Sequence, residues 1–139
     1  MKAIEVVKPG ELQIVEKENY ENPAEDEVII QIKAAGICGS DLHIYSGSDL
    51  HIYNGSSAFA IYPNIMGHEL AGEVVAVGNG VKSVGVGNRA AVNNVISCGT
   101  CYACKIGRSN VCRDVKVLGV HVEGGYKEYV KVNQENVYT

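Results

Sequence analysis

The stretch "EVIIQIKAAGICGSDLHIYSGSDLHIYN", Glu27–Asn54, changes character halfway. In its first part Val28, Ile30, Ile32 and Ala34 alternate with other residues, which predicts a strand with one face in the core. After Cys38 the sequence repeats itself: Gly39–Ser46 and Gly47–Asn54 differ only at their last residue. This duplicated segment, residues 39–54, is the one region that reads as a helix of any length, with Ser40 or Ser48 as N-cap and an aspartate next to it. The rest reads as strands and turns. Met1–Val7 and Glu11–Glu18 flank Pro9-Gly10 and predict a hairpin. "LAGEVVAVG" (Leu70–Gly78), "RAAVNNV" (Arg89–Val95) and "GGYKEYVKV" (Gly124–Val132) are short, rich in Val and Tyr, and bounded by Gly or Asn. The expected architecture is mostly β, a barrel or sandwich whose loops carry the chemistry.

Length and charge restrict the function classes. The 139 residues, 46% apolar and 20% charged, suit one soluble domain. A net charge of −4 with scattered Lys and Arg offers no footprint for a phosphate backbone, so nucleic acid is not an expected partner. The longest apolar runs fall far short of the ~20 residues of a membrane span, and Glu5 and Lys8 sit where a signal peptide needs apolar residues. A cytoplasmic location without membrane attachment is the expectation.

Four of the five cysteines crowd into "CGTCYACKIGRSNVC", Cys98–Cys112. The spacing C-x2-C-x2-C-x7-C lets four thiolates converge on one ion and close a tetrahedral shell around zinc at ~2.3 Å. An iron–sulfur run of the bacterial ferredoxin kind would have x3 and then Pro after its third cysteine. Disulfides suit an odd cysteine count poorly. A closed shell has no open position, so this site staples a lobe, about residues 96–114, and takes no part in catalysis.

A second donor set is more dispersed. Cys38 stands in "AAGICGSDLH", and His68 and Glu69 follow a proline-containing loop in "GHE". Thiolate, imidazole and carboxylate form the mixed set that holds catalytic zinc and leaves a position open. From the residues alone the ordinary alternatives stand beside it: a lone histidine is more often structural, a lone cysteine more often a small core hydrophobe.

"AAGICGSDLHIY" (Ala34–Tyr45), "PNIMGHELAGEVVAVGNGV" (Pro63–Val81), the four-cysteine lobe and "GVHVEGGYKEYVKV" (Gly119–Val132) occur in an order that resembles the N-terminal GroES-like catalytic domain of zinc-dependent medium-chain alcohol dehydrogenases. The resemblance covers nearly the whole chain and is closest to the sorbitol and polyol branch. It implies a partly open β-barrel with short helices and a structural zinc lobe, in one domain over residues 1–139. It further implies one structural zinc on Cys98, Cys101, Cys104 and Cys112, and one catalytic zinc on Cys38 and His68. Glu69 is then a third ligand or a carboxylate behind the ligands, Ser40 a proton-relay hydroxyl, and His43 a histidine near the relay or cofactor. The implied reaction is oxidation of a small alcohol or polyol by NAD or NADP, with oligomerisation of the parent left open.

No dinucleotide site is expected within the chain. "GVGNRA" (Gly85–Ala90) mimics a G-x-G-x-x-A fingerprint, but a strand follows it where a helix should, and no acidic residue occurs between Glu73 and Asp114. The nucleotide-binding domain would belong to a longer parent, and this portion alone would bind zinc without turnover. A competing class, a zinc-stapled binding or scaffold module, rests on the four-cysteine lobe alone.

The duplication puts His68 eight residues farther from Cys38 than the family separation. Eight residues advance a helix roughly 80° past a whole number of turns, so both copies cannot present one face. Gly47 is the expected break between them. Ser40 is tied to Cys38, and His43 is favoured over His51 as the histidine near the metal. The second copy reads as surface turn or helix, and neither Asp41 nor Asp49 is assigned chemistry. His121 reads as an ordinary strand-end histidine.

Overall fold

The computed structural model describes residues 1–47 and 61–139. Strands β1 (Lys2–Lys8) and β2 (Glu11–Glu16) form the expected hairpin about Pro9-Gly10, and β4 (Asn64–Ile65) pairs with the other edge of β1. A five-stranded antiparallel sheet runs in the order β10 (Val137–Tyr138), β6 (Arg89–Val92), β5 (Glu69–Val77), β3 (Glu27–Gly36), β9 (Tyr129–Asn133). The two sheets meet along Tyr126–Glu128, whose backbone runs beside β1: the Ile4 N–H donates to the Tyr126 carbonyl at 2.8 Å. The result is the expected curled, mostly β domain. Among the described residues no helix is long and apolar enough to cross a membrane.

Two apolar clusters fill the interior. Val28, Ile30, Leu70, Val74, Val130 and Val132 form the larger one beneath the five-stranded sheet. Val6, Ile44, Met66 and Val120 form the smaller one, which seats helix α1 (Gly39–Ser46) through Ile44.

Strand β5 alternates buried and exposed residues as its sequence predicts, but β3 does not. Val28, Ile29 and Ile30 are all buried, while Ala34, expected on the core face, is exposed. Two register shifts interrupt the pairing with β5: between Ile29 and Ile30 the extra residue is Val75 of β5, and between Ile32 and Ala34 it is Lys33 of β3. The second turns the β3 side chains after Ile32 to the opposite face, which puts Ala34 outside.

The helix start also differs from expectation. Cys38 is the N-cap, and Ser40 lies inside the first turn. Asp41 decides the boundary: its Oδ2 accepts the Cys38 backbone N–H at 2.9 Å, the returning half of a capping box. The helix ends at the copy boundary, where Gly47 is left-handed at φ 63°. Ser48, Asp49 and His51 lie outside the described residues. "GVGNRA" is a turn leading into β6, with the Asn88 side chain accepting the Gly85 N–H at 2.9 Å.

One ionic group ties the hairpin to the later chain. The Lys127 ammonium, its side chain 2% exposed, lies 3.1 Å from Glu123, which also meets Lys17 at 3.1 Å. Burial works to raise the Glu123 pKa, but the hydrogen bonds and charges of Lys127 and Lys17 outweigh it and hold the carboxyl below its ordinary value. A depressed carboxylate pKa contributes stability that is full above the unfolded value of 4.5 and fades as pH falls through the folded one. Glu123→Ala strands a buried ammonium, and we expect a loss of about 2 kcal/mol at neutral pH, between the ranges for exposed and buried pairs. Urea melts at pH 7 and pH 3 check this: the difference between wild type and variant shrinks at the lower pH.

Candidate metal centres

The four-cysteine lobe is closed at its base by the short ladder β7 (Val95–Ile96) with β8 (Lys116–Val117). Between these strands the backbone turns through the one-turn helix Tyr102–Lys105 and a 3-10 turn at Ser109–Val111, bringing Cys98, Cys101, Cys104 and Cys112 together. The sulfurs all lie within 4.8 Å of one another. Individual separations are 3.4 Å for Cys98–Cys112, 3.5 Å for Cys101–Cys104 and 3.9 Å for Cys101–Cys112. A tetrahedron of sulfurs around zinc at 2.3 Å has edges of about 3.8 Å, so the set fits the ion with little movement. The backbone N–H groups of Thr100 and Cys101 pull the Cys98 thiol down to about 6, which favours the thiolate at neutral pH. Cys104 is pushed up to about 11, first by partial burial and then by hydrogen bonding to Cys101.

The second centre is assembled by the sheet. Strands β3 and β5 are antiparallel neighbours whose last pair is Gly36 with Glu69. Cys38 therefore leaves β3 beside the residues that enter β5, and a sulfur of Cys38, a nitrogen of His68 and a carboxylate oxygen of Glu69 lie within 4.8 Å of one another. Gly36 makes room for this: a Cβ there would fall 2.2 Å from Glu69 Oε2. His68 is buried, Cys38 half-buried and Glu69 exposed, so the trio opens toward solvent on the glutamate side.

The two nitrogens of His68 face different groups. Nε2 is 3.4 Å from the Ser40 hydroxyl, and Nδ1 is 3.5 Å from Asp41 Oδ1. Asp41 is only 2% exposed, and its Oδ1 and His68 Nδ1 have no hydrogen-bond partner among the described residues. A proton on Nδ1 directed at the carboxylate leaves the Nε2 lone pair for a metal, the usual arrangement behind a ligating histidine. The donor types, their convergence and this facing carboxylate all suit zinc with an open position.

Sequence reasoning placed Cys38, His68, Glu69 and Ser40 in one site, and the structure brings these four together. His43 lies one turn after Ser40 on α1, exposed and outside the group formed by Cys38, His68 and Glu69. Sequence reasoning assigned nothing to Asp41, although its capping-box spacing from Cys38 was a usable signal. It also passed over Tyr126, whose hydroxyl reaches Asp41 Oδ2 at 2.8 Å from 85 residues away. His121 accepts the Val117 N–H at 3.0 Å through Nδ1, a local turn contact.

Residues 24–139 match the family model for the alcohol dehydrogenase GroES-like domain. The chain is 49% identical over 138 residues to the starvation-sensing protein RspB of Escherichia coli K12, a match spanning 99% of this chain and 38% of that protein. It is 39% identical over 138 residues to L-threonine 3-dehydrogenase of Pyrococcus horikoshii, again 99% of this chain and 38% of the relative. Among solved structures, an alcohol dehydrogenase (RspB) from Escherichia coli CFT073 complexed with NADH superposes with a TM-score of 0.85 at 46% identity, over 100% of this chain and 38% of that one. Galactitol-1-phosphate dehydrogenase from Escherichia coli also gives 0.85, at 31% identity over 99% of this chain and 37% of that one. The chain thus spans little more than a third of the length of these relatives. With the family model matched over most of its length and two zinc-type donor sets in place, this chain belongs to the alcohol dehydrogenase GroES-like domain family.

Proposed function

We propose that the chain is the zinc-binding catalytic portion of a NAD(P)-dependent alcohol or polyol dehydrogenase, with Cys38, His68 and Glu69 holding the catalytic ion and the four-cysteine lobe a structural one. The observation that carries this reading is the convergence of a thiolate, an imidazole and a carboxylate at the mouth of the sheet, apart from a complete tetrathiolate set. Zinc bound there supplies Lewis acidity, which makes a substrate hydroxyl easier to deprotonate. The residues around it do the rest. Ser40, whose hydroxyl lies 3.4 Å from His68 Nε2, is placed to accept that proton while releasing its own hydroxyl proton toward solvent, and His43 lies exposed one helical turn onward. The Asp41 carboxylate, 3.5 Å from Nδ1, favours the His68 tautomer with its proton on that nitrogen. Tyr126 remains protonated, since burial first and the Asp41 carboxylate second raise its pKa well above the ordinary tyrosine value; it donates a hydrogen bond and is not the base. A hydride acceptor must come from a nicotinamide held by the remainder of a longer protein, because no side chain accepts hydride.

Metal counting tests the reading. By elemental analysis the chain is expected to carry two zinc ions and His68→Ala one. A single ion in both proteins would leave a zinc-stapled binding module as the better description.

A further inference from the structure

We propose that Tyr126 is a positioning residue for the Cys38, His68 and Glu69 metal site, acting through the buried carboxylate of Asp41. This rests on the dehydrogenase reading above and adds a residue to it. Tyr126 touches each segment that delivers a donor. Its hydroxyl is 2.8 Å from Asp41 Oδ2 and 3.0 Å from the Gly36 carbonyl, two residues before Cys38. Its backbone N–H donates to the Met66 carbonyl at 3.0 Å, and the preceding Gly125 N–H to the Gly67 carbonyl at 2.8 Å, immediately before His68. Its ring packs against Gly67, where a Cβ would come within 2.4 Å of a ring carbon; Gly67 also sits at φ 93°, which suits glycine.

Asp41 is where these contacts become a constraint on the metal site. Its Oδ2 accepts from the Cys38 backbone N–H at 2.9 Å and from Tyr126, which fixes the plane of the carboxylate. That plane directs Oδ1 at His68 Nδ1, 3.5 Å away, where neither atom has another partner among the described residues. One hydroxyl thus fixes a carboxylate that holds the sulfur donor's backbone with one oxygen and faces the imidazole with the other. Without it Asp41 is free to rotate toward His68 or away from Cys38, and the two donors lose their common reference.

Cobalt titration of the full chain tests this, because Co2+ reports sulfur count: four thiolates in the lobe against one at the second site give separate visible bands. Tyr126→Phe retains the ring against Gly67 and removes only the hydroxyl. It is expected to weaken cobalt binding at the second site roughly 10- to 100-fold and to shift that site's bands, with the lobe's bands unchanged. Asp41→Ala should do the same, and the double variant should bind no more weakly than Asp41→Ala alone, since both act through one carboxylate. Binding within twofold of wild type in Tyr126→Phe, or fully additive losses in the double variant, overturns the inference and leaves the dehydrogenase reading standing. Loss of the lobe's bands in Tyr126→Phe overturns it as well, by showing that the hydroxyl supports the whole fold. A wild-type chain with only the four-thiolate bands removes the reading on which the inference rests.

Discussion

Removing the metal from the four-cysteine lobe is expected to unfold residues 97–113 as a unit while the five-stranded sheet stays folded. The lobe has almost nothing else to hold it. Tyr102, Ile106 and Val111 are 79%, 50% and 60% exposed, and of the residues between Cys98 and Cys112 only Cys112 is buried. Structural zinc in comparably small units is worth about 10–16 kcal/mol at neutral pH, far more than the hydrogen bonds of these short turns. Cys112→Ser removes one of four thiolates; taking about a quarter of that energy, ~3 kcal/mol, gives a roughly 100-fold loss of zinc affinity. Competition with a chromophoric chelator measures the affinity, and amide hydrogen exchange reads the unfolding. Undiminished protection of residues 97–113 after complete metal removal would show that the lobe holds itself together.

The second large effect belongs to the longer parent, under the proposed function. Cys38→Ala should lower kcat for alcohol oxidation by about 10³-fold, equivalent to roughly 4 kcal/mol, the scale on which Lewis-acid activation operates. Its metal content should fall from two ions to one. Ser40→Ala should retain both ions and lose about 10²-fold, the lower end for a positioned proton-transfer group. Steady-state kinetics paired with metal analysis separates the two. A Cys38→Ala parent that retained both ions and wild-type kcat would refute the assignment of the catalytic centre.

Much of the fold could be read directly because most strands obey one local rule. In β5 the alternation of Leu70, Gly72 and Val74 with exposed residues carries straight into the structure. In β3 the same rule failed at Ala34, because the bulge at Lys33 is settled by pairing with β5, and no residue within β3 announces it. The helix start was misplaced for a related reason. Ser40 has the better intrinsic capping chemistry, but Asp41, held by Tyr126 across the domain, takes the Cys38 N–H and moves the boundary back.

The two metal centres divide cleanly between what local sequence decides and what only folding decides. Cys98, Cys101, Cys104 and Cys112 are separated by loops so short that their convergence follows from chain geometry, and spacing alone identified the lobe. Cys38 and His68 are thirty positions apart, with an eight-residue duplication between them that should have disturbed any site built on loop length. It does not, because the site is fixed at the other end of the loop: the antiparallel register that pairs Gly36 with Glu69 brings the donors together whatever the chain does in between. Eight additional residues raise the closure entropy of such a loop by only roughly 0.3 kcal/mol. The sequence supplied the donors by type and the lobe by spacing; the pairing of two strands, which no local pattern encodes, decided that a cysteine, a histidine and a glutamate face one point.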